Sequence, residues 1–328
     1  MTFKKLLKKI VLIFCVFLVC LSFSSCSEKK VSSTELAMNT VISITAYGDR
    51  ADEAVKASFK EVKRIEALLS CHIDDSEISR INKWAHTKKQ KVSDETAKVL
   101  KKALWVCQKT NGAFDISLKP ISDLWNINAQ NPKVPSNEEI KSALSTVGYE
   151  NIEIDGNFVS FKKKGMQIDL GGAAKGYCAD RIKEILKAHG IKNALIDLGG
   201  NIYALGKNEQ GKNWRIGLQK PDGKRGEYFR VEELSGKSAV SSGSYERYFE
   251  QNGKIYHHIL DRKTGCPSNS GLISVTVVSE NSFEADMLST AIFVMGADEF
   301  EKIKSEFEFD KYITVDKFNN EIIYEKNN

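Results

Sequence analysis

The stretch Gln167 to Asp180, QIDLGGAAKGYCAD, constrains this chain more than any other. An apolar run ending in Met166 and Ile168 predicts a strand, Asp169 adds a carboxylate, and Gly171-Gly172 turn the chain into a helix expected to reach about His189. Glycines at such a turn let a ligand approach the backbone, and the first helical turn offers unpaired N–H groups and positive dipole potential to an anion. Phosphate is the first ligand this suggests. Neither familiar phosphate loop is present: Lys175 precedes Gly176 instead of following a glycine, and the stretch holds no G-x-G-x-x-G. A plain strand-to-helix connection has the same pattern, so by itself the stretch leaves both readings open.

The N-terminus bears on the compartment. Lys4, Lys5, Lys8 and Lys9 precede an unbroken apolar run from Ile10 to Leu21. That run is shorter than the roughly eighteen residues of a spanning helix, so it predicts an export signal. Small residues before Cys26 and polar ones after it predict residues 1–25 as a lipoprotein signal peptide, with Cys26 as the lipidated N-terminus. Residues 26–36 are then expected to be a lipid-anchored linker and 37–328 one catalytic-sized domain. Phe23 stands where Leu is usual, which keeps ordinary cleavage or an uncleaved anchor as alternatives. The expected location is outside the cytoplasm, lipid-anchored to a membrane and facing the periplasm or another extracytoplasmic space.

Charge excludes one large class of partner. The 48 Lys and Arg against 43 Asp and Glu are spread along the chain without a basic run or interleaved aromatics, so nucleic acid is not implied. Cys71, Cys107, Cys178 and Cys266 show no C-x-x-C spacing and read as free, buried thiols.

Periodicity supplies the elements. Val41–Tyr47 alternates as a half-buried strand, and Asp52–Leu69 places Val55, Phe59, Val62, Ile65 and Leu69 on one helical stripe. Further helices are expected over Ser93–Thr110 and Ser136–Val147, the latter with Ser136 and Glu139 in capping-box spacing. Ile152–Phe161 reads as a hairpin turning at Asp155-Gly156, and Asn193–Leu198 as a strand entering the Gly199-Gly200 turn. Strands follow at 214–218, 228–231, 245–250, 254–260 and 273–279, then helices at 282–295 and 298–306 and a hairpin at 312–324. Runs of helices and hairpins without regular βαβ alternation predict an α+β fold, not a doubly wound one.

Several polar residues are candidates for chemistry. Asp115 follows Gly112-Ala113-Phe114 in a loop, where an acid is either solvated or turned to a ligand. Of the adjacent His257 and His258 in a strand, one must face in and one out. Asp286 and Thr290 stand i, i+4 on one helix face amid Ala285, Leu288 and Ala291, so a carboxylate and a hydroxyl point together from a small-residue surface. Oxygen-only donors there suit a hard cation such as Mg²⁺.

With these stretches in view, the chain resembles the FAD:protein FMN transferases, the ApbE-like flavin-transfer lipoproteins, from about Met38 onward. The matching segments are MNTVISITAYG, SEISRIN, TNGAFDISLKPISDLW, IDLGGAAKGYCAD, ALIDLGGN, SSGSYERY, HHILDRKTGCP and EADMLSTAIFVMG. The resemblance implies a T-fold-like α+β architecture with antiparallel or mixed sheets. It also implies Mg²⁺-dependent transfer of FMN from FAD to a Ser or Thr of a target protein, releasing AMP. Acceptors would be redox-complex subunits of the Rnf/Nqr type. Carried over by position, Met38 opens the flavin pocket, Ala113, Phe114 and Asp115 line the FAD site, and Asp169 and Lys175 contact FAD. The Gly172 carbonyl, Asp286 and Thr290 ligate Mg²⁺, which makes Asp286 catalytic. His258, flanked by Ile259, is the candidate base for the acceptor hydroxyl, and Ser242 and Gly243 shape the cofactor pocket.

Three departures stand out. His72 replaces a common Tyr at a position expected to face the cofactor, Ser241 replaces a Thr, and Arg262 replaces a Pro. A smaller ring at position 72 would admit water, so FAD hydrolysis to FMN and AMP is an alternative activity. A flavin-binding lipoprotein without turnover is a second alternative.

Overall fold

The computed structural model describes residues 29–224 and 226–326. The expected signal peptide and Cys26 lie outside the described residues. One eight-stranded sheet organises the rest, ordered Lys30–Ala37, Thr40–Tyr47, Asn193–Asp197, Asn201–Leu205, Lys237–Gly243, Leu272–Ser279, Lys311–Asp316 and Glu321–Glu325. Every neighbouring pair in it is antiparallel. The fold is therefore α+β, as expected.

Helices Ala51–Leu69, Ala174–Ala188 and Ser282–Met295 share a core with the sheet, built from residues such as Ile44, Phe59, Ile65, Ile182, Ile196, Val277 and Ile292. The Ala51–Leu69 helix buries the stripe read from its periodicity, with Val55, Phe59, Val62, Ile65 and Leu69 all inside. Ser136 and Glu139 form the expected capping box, their reciprocal bonds at 3.3 and 2.8 Å starting the Asn137–Leu144 helix. A second, smaller core around Trp125, Ile140, Phe249 and Leu260 packs the helices Lys119–Trp125 and Asn137–Leu144 under the Tyr248–Gln251/Lys254–His257 hairpin.

Three expectations are corrected. Residues 30–36 are not a linker but most of the sheet's edge strand, Lys30–Ala37. Only Val31 and Ala37 of that strand turn apolar side chains to the core, and on its other face hydroxyl pairs tie it to the next strand, Ser32 to Thr45 at 2.9 Å and Thr34 to Ser43 at 2.8 Å. Second, the segment ending at Ile168 is not a strand. Its backbone is satisfied by one side chain: Asn82 accepts from the Ile168 N–H at 2.7 Å and donates to the Ile168 carbonyl at 2.9 Å. Third, Lys237–Gly243, expected only as pocket lining in part, is a central strand whose small residues let the Ser282–Met295 helix lie close.

Candidate functional site

The site begins with two helices meeting at a glycine. A Cβ on Gly176 would lie 2.3 Å from the Ser282 carbonyl oxygen and 2.7 Å from the Asp286 Cβ, so only glycine permits this approach of the Ala174–Ala188 helix to the Ser282–Met295 helix. At that contact the Gly176 N–H donates to Asp286 Oδ2 at 2.8 Å. The Gly176 N–H is one of the four at a helix N-terminus that have no partner within the helix, and Asp286 satisfies it. The Gly172 carbonyl, one residue before the Ala173 N-cap, has no donor among the described residues.

Gly172 also faces Phe114 and Thr290, whose Cε2 and Oγ1 would lie 3.2 and 3.6 Å from a Cβ there. The Thr290 hydroxyl is 3.3 Å from Ser242 Oγ, which in turn pairs with Ser289 Oγ at 2.8 Å. Burial pushes the Asp286 carboxyl above its ordinary range, against the nearby Lys175 ammonium and the Gly176 N–H. A buried carboxylate, a hydroxyl and a carbonyl without a donor on adjoining elements form an all-oxygen donor set, which suits a hard cation such as Mg²⁺. The three expected metal ligands are thus brought together.

Other expected residues surround this centre. The Met38 N–H donates to Glu66 Oε1 at 2.6 Å, and Met38 and Asn39 take φ of 51° and 57°, turning the edge hairpin. Arg247 reaches the Asn39 carbonyl at 3.4 Å, and its own carbonyl is 3.2 Å from His258 Nδ1. A carbonyl only accepts, so Nδ1 carries the proton and Nε2 keeps its lone pair. Burial pushes the half-buried His258 ring down to about 4, opposed by the Arg247 carbonyl and reinforced by the charges of Arg247 and Lys175. The ring is therefore neutral at physiological pH. Its neighbour His257 points inward, with Nε2 at 3.1 Å from the Ser268 carbonyl and the ring edge-on to Phe293 at 5.5 Å. Ile259 and Gly243 are buried behind the site.

Lys175 is half-buried and holds the Gly171 carbonyl at 3.3 Å. Asp169 is half-buried, with Oδ1 accepting the Gly171 N–H at 2.8 Å. Ala113 is half-buried and packs against the main core. Asp115 is turned inward instead: Oδ1 accepts from the Ser117 N–H and hydroxyl at 2.8 and 2.6 Å, capping the turn that follows. Its Oδ2 lies 3.2 Å from an Arg262 nitrogen without hydrogen-bond alignment. Burial holds this carboxyl above its usual range despite Ser117 and Arg262. His72 is exposed on the loop after Leu69, beside the half-buried Cys71.

Reading by residue type overlooked Glu66, Arg247 and Ser289, which orient site residues through the bonds above. Arg247 carried the best signal, a cation just before the Tyr248–Gln251 strand. A groove of about 630 Å³ lined by Lys183, Lys187, Tyr203 and Glu280 shares none of these residues.

A glycine-turned helix N-terminus with Asp286, Thr290 and the Gly172 carbonyl beside it, and Lys175 next to them, is an arrangement able to take a phosphorylated ligand and a cation. More specifically, the ApbE family model matches residues 38–312, and the chain belongs to that family. It is 34% identical over 287 residues to the FAD:protein FMN transferase of Treponema pallidum, covering 82% of this chain and 79% of that one. Among solved structures, the ApbE protein of Thermotoga maritima superposes with a TM-score of 0.82 at 31% identity, covering 91% of this chain and 97% of the other. The flavin transferase ApbE of Vibrio cholerae gives 0.81 at 28% identity, with the same coverage.

Proposed function

We propose that this protein transfers FMN from FAD to a Ser or Thr hydroxyl of a target protein, with Mg²⁺ held by the Gly172 carbonyl, Asp286 and Thr290. Family membership supports the transfer, and the meeting of the buried Asp286 carboxylate with the Thr290 hydroxyl and the donor-free Gly172 carbonyl is the observation that carries the metal. Bound there, Mg²⁺ would neutralise charge on the FAD pyrophosphate.

The chain's own residues do the rest. Lys175 adds a cation beside the glycine turn, and Phe114 packs against Gly172 behind it. His258 offers Nε2, oriented by its Nδ1–H bond to the Arg247 carbonyl, to take the acceptor proton. The acceptor oxygen bonds to the phosphorus of the FMN half while the bridging oxygen leaves with AMP. The N-terminal sequence supports export and a lipid anchor at Cys26, which would put acceptors among redox-complex subunits outside the cytoplasm.

Incubating the full-length protein with FAD, Mg²⁺ and a Ser- or Thr-containing acceptor peptide tests this reading. The expected result is AMP release that requires peptide, together with an FMN mass increment on it. Equal AMP release without peptide would make the protein a pyrophosphatase, and no AMP would leave a flavin-binding lipoprotein. Asp286→Asn keeps an oxygen for the Gly176 N–H but loses the charge, and should slow turnover on the order of 10²-fold or more. Undiminished Mg²⁺-dependent turnover in that variant would remove the metal assignment.

A further inference from the structure

A second group of ligating side chains lies outside the Asp286 site. Cys71, His72 and Asp169 each place one donor atom so that all three fall within 4.8 Å of one another. They come from separate parts of the chain, and both parts are fixed. On the first, the Ser70 carbonyl accepts the Ser76 hydroxyl at 2.5 Å, Ser70 Oγ accepts the His72 N–H at 3.1 Å, and the Ser76 N–H reaches the Ile73 carbonyl at 3.0 Å. On the second, the Asp169 N–H bonds the Ile116 carbonyl at 2.8 Å, next to the Asn82 clamp on Ile168, and the Gly171 N–H aims Oδ1.

We propose that Cys71, His72 and Asp169 form a binding site for a borderline-soft transition-metal ion of the Zn²⁺ class. Thiolate, imidazole and carboxylate are the donors such ions take, whereas Mg²⁺ prefers oxygen alone. Bonds of roughly 2.0 to 2.3 Å to a tetrahedral ion put donors about 3.3 to 3.8 Å apart, so closing this group takes shifts of about 1 Å or less. His72 is exposed and Cys71 half-buried, which gives the ion a path in and leaves the fourth position to water. On binding, the Cys71 thiol releases its proton to solvent. Lys119 faces Cys71 and Asp169, but its ammonium is held by Asp123 at 2.7 and 2.8 Å, so this pair brings no net charge against the ion. The site shares no ligand with Gly172, Asp286 and Thr290 and rests on side-chain placement, but His72 and Asp169 are residues the family resemblance turns toward FAD, so the ion binds the FAD-free protein and competes with FAD there.

Co²⁺ is the probe, titrated into the full-length protein in detergent with excess Mg²⁺ covering the all-oxygen site. The expected result is a thiolate-to-cobalt charge-transfer absorption that saturates at a single equivalent and is displaced by Zn²⁺. Cys71→Ser should abolish the band, Asp286→Asn should leave it, and His72→Ala should weaken Co²⁺ binding by about tenfold or more. No band in folded wild-type protein, or an equal band in Cys71→Ser, overturns the proposal. Because His72 is on the surface, His72→Ala keeps the test decisive should Cys71→Ser misfold: an unchanged Co²⁺ affinity in it also overturns the site.

Discussion

Replacing Gly176 by Ala tests the geometry on which the all-oxygen site depends. At an ordinary interior helix position this change stabilises by about 1 kcal/mol, because glycine has the greater freedom to lose. Here the added methyl would lie 2.3 Å from the Ser282 carbonyl oxygen, 2.7 Å from the Asp286 Cβ and 2.9 Å from the Phe283 Cα. Two of these three are backbone atoms, so no side-chain rotation relieves the clash. Restoring normal contact separates the helices by about 1 Å, at an overpacking cost of about 1 to 3 kcal/mol. The same retreat stretches the 2.8 Å bond from Gly176 to Asp286. A hydrogen bond to a charged group contributes about 1.5 to 3 kcal/mol. Set against the propensity gain, the net loss is about 2 to 5 kcal/mol, or a fall in melting temperature on the order of 5 to 15 °C for a domain of this size. The same separation draws the Asp286 carboxylate away from the Gly172 carbonyl and should weaken the binding of a cation between them. Scanning calorimetry for stability and titration calorimetry with Mg²⁺ in the absence of FAD measure the two effects. A stabilised variant, or one with unchanged Mg²⁺ affinity, refutes the argument that this contact creates the site.

Three further outcomes follow from buried charge. His258 is held down to about 4 by burial, whereas the unfolded chain titrates near 6.5. Its contribution to stability is therefore full above about pH 6.5 and is lost as the pH falls toward 4. The metal-free melting temperature should decline across that window, by less than the full shift implies because the ring is half-exposed, and His258→Gln should flatten the decline. Burial raises the Asp286 carboxyl, so protons compete with the cation there. The rise in melting temperature produced by Mg²⁺ should shrink as the pH is lowered, and a pH-independent rise would place the ion elsewhere. Arg262→Ala strands the fully buried Asp115 carboxylate, at a cost of about 2 to 4 kcal/mol given that the arginine is partly exposed. Urea denaturation should show that loss, and adding Asp115→Asn should recover part of it.

Elements that bury a regular stripe were legible from sequence. The Ala51–Leu69 helix buries the stripe its periodicity predicts, and the Ser282–Met295 helix, buried on nearly every side, keeps its expected bounds, with Asn281 capping it through a 3.0 Å bond from the Glu284 N–H. Elements held by hydroxyls or by a distant partner were not. Nothing in KVSSTELA marks a strand until Thr45 and Ser43 stand opposite Ser32 and Thr34. Likewise, an apolar run such as the one ending at Ile168 reads as a strand because the Asn82 side chain that satisfies it lies 86 residues away.

The site shows the same division. Residue types named Asp286 and Thr290, because a carboxylate and a hydroxyl one turn apart on an otherwise apolar helix are conspicuous in any sequence. The third candidate donor, the Gly172 carbonyl, is a group every residue possesses, and only the structure shows that it has no donor among the described residues. The absence of a Cβ at Gly176 lets the two helices meet there and lets its N–H satisfy Asp286. Asp115 shows the reverse case. Its neighbours Phe114 and Gly112 suggest an acid facing a ligand, yet a Cβ on Gly112 would lie 2.3 Å from the Arg262 side chain, which closes over that carboxylate. Arg262 stands where the family resemblance leads one to expect proline, which has no side-chain charge to offer a buried acid. Its guanidinium also pairs with Glu150 at 3.0 Å and lies 5.0 Å from the Tyr149 ring centre, so it is held from three sides. The acid at 115 and the arginine at 262 therefore act together here, as internal support for the loop that carries Phe114 to Gly172.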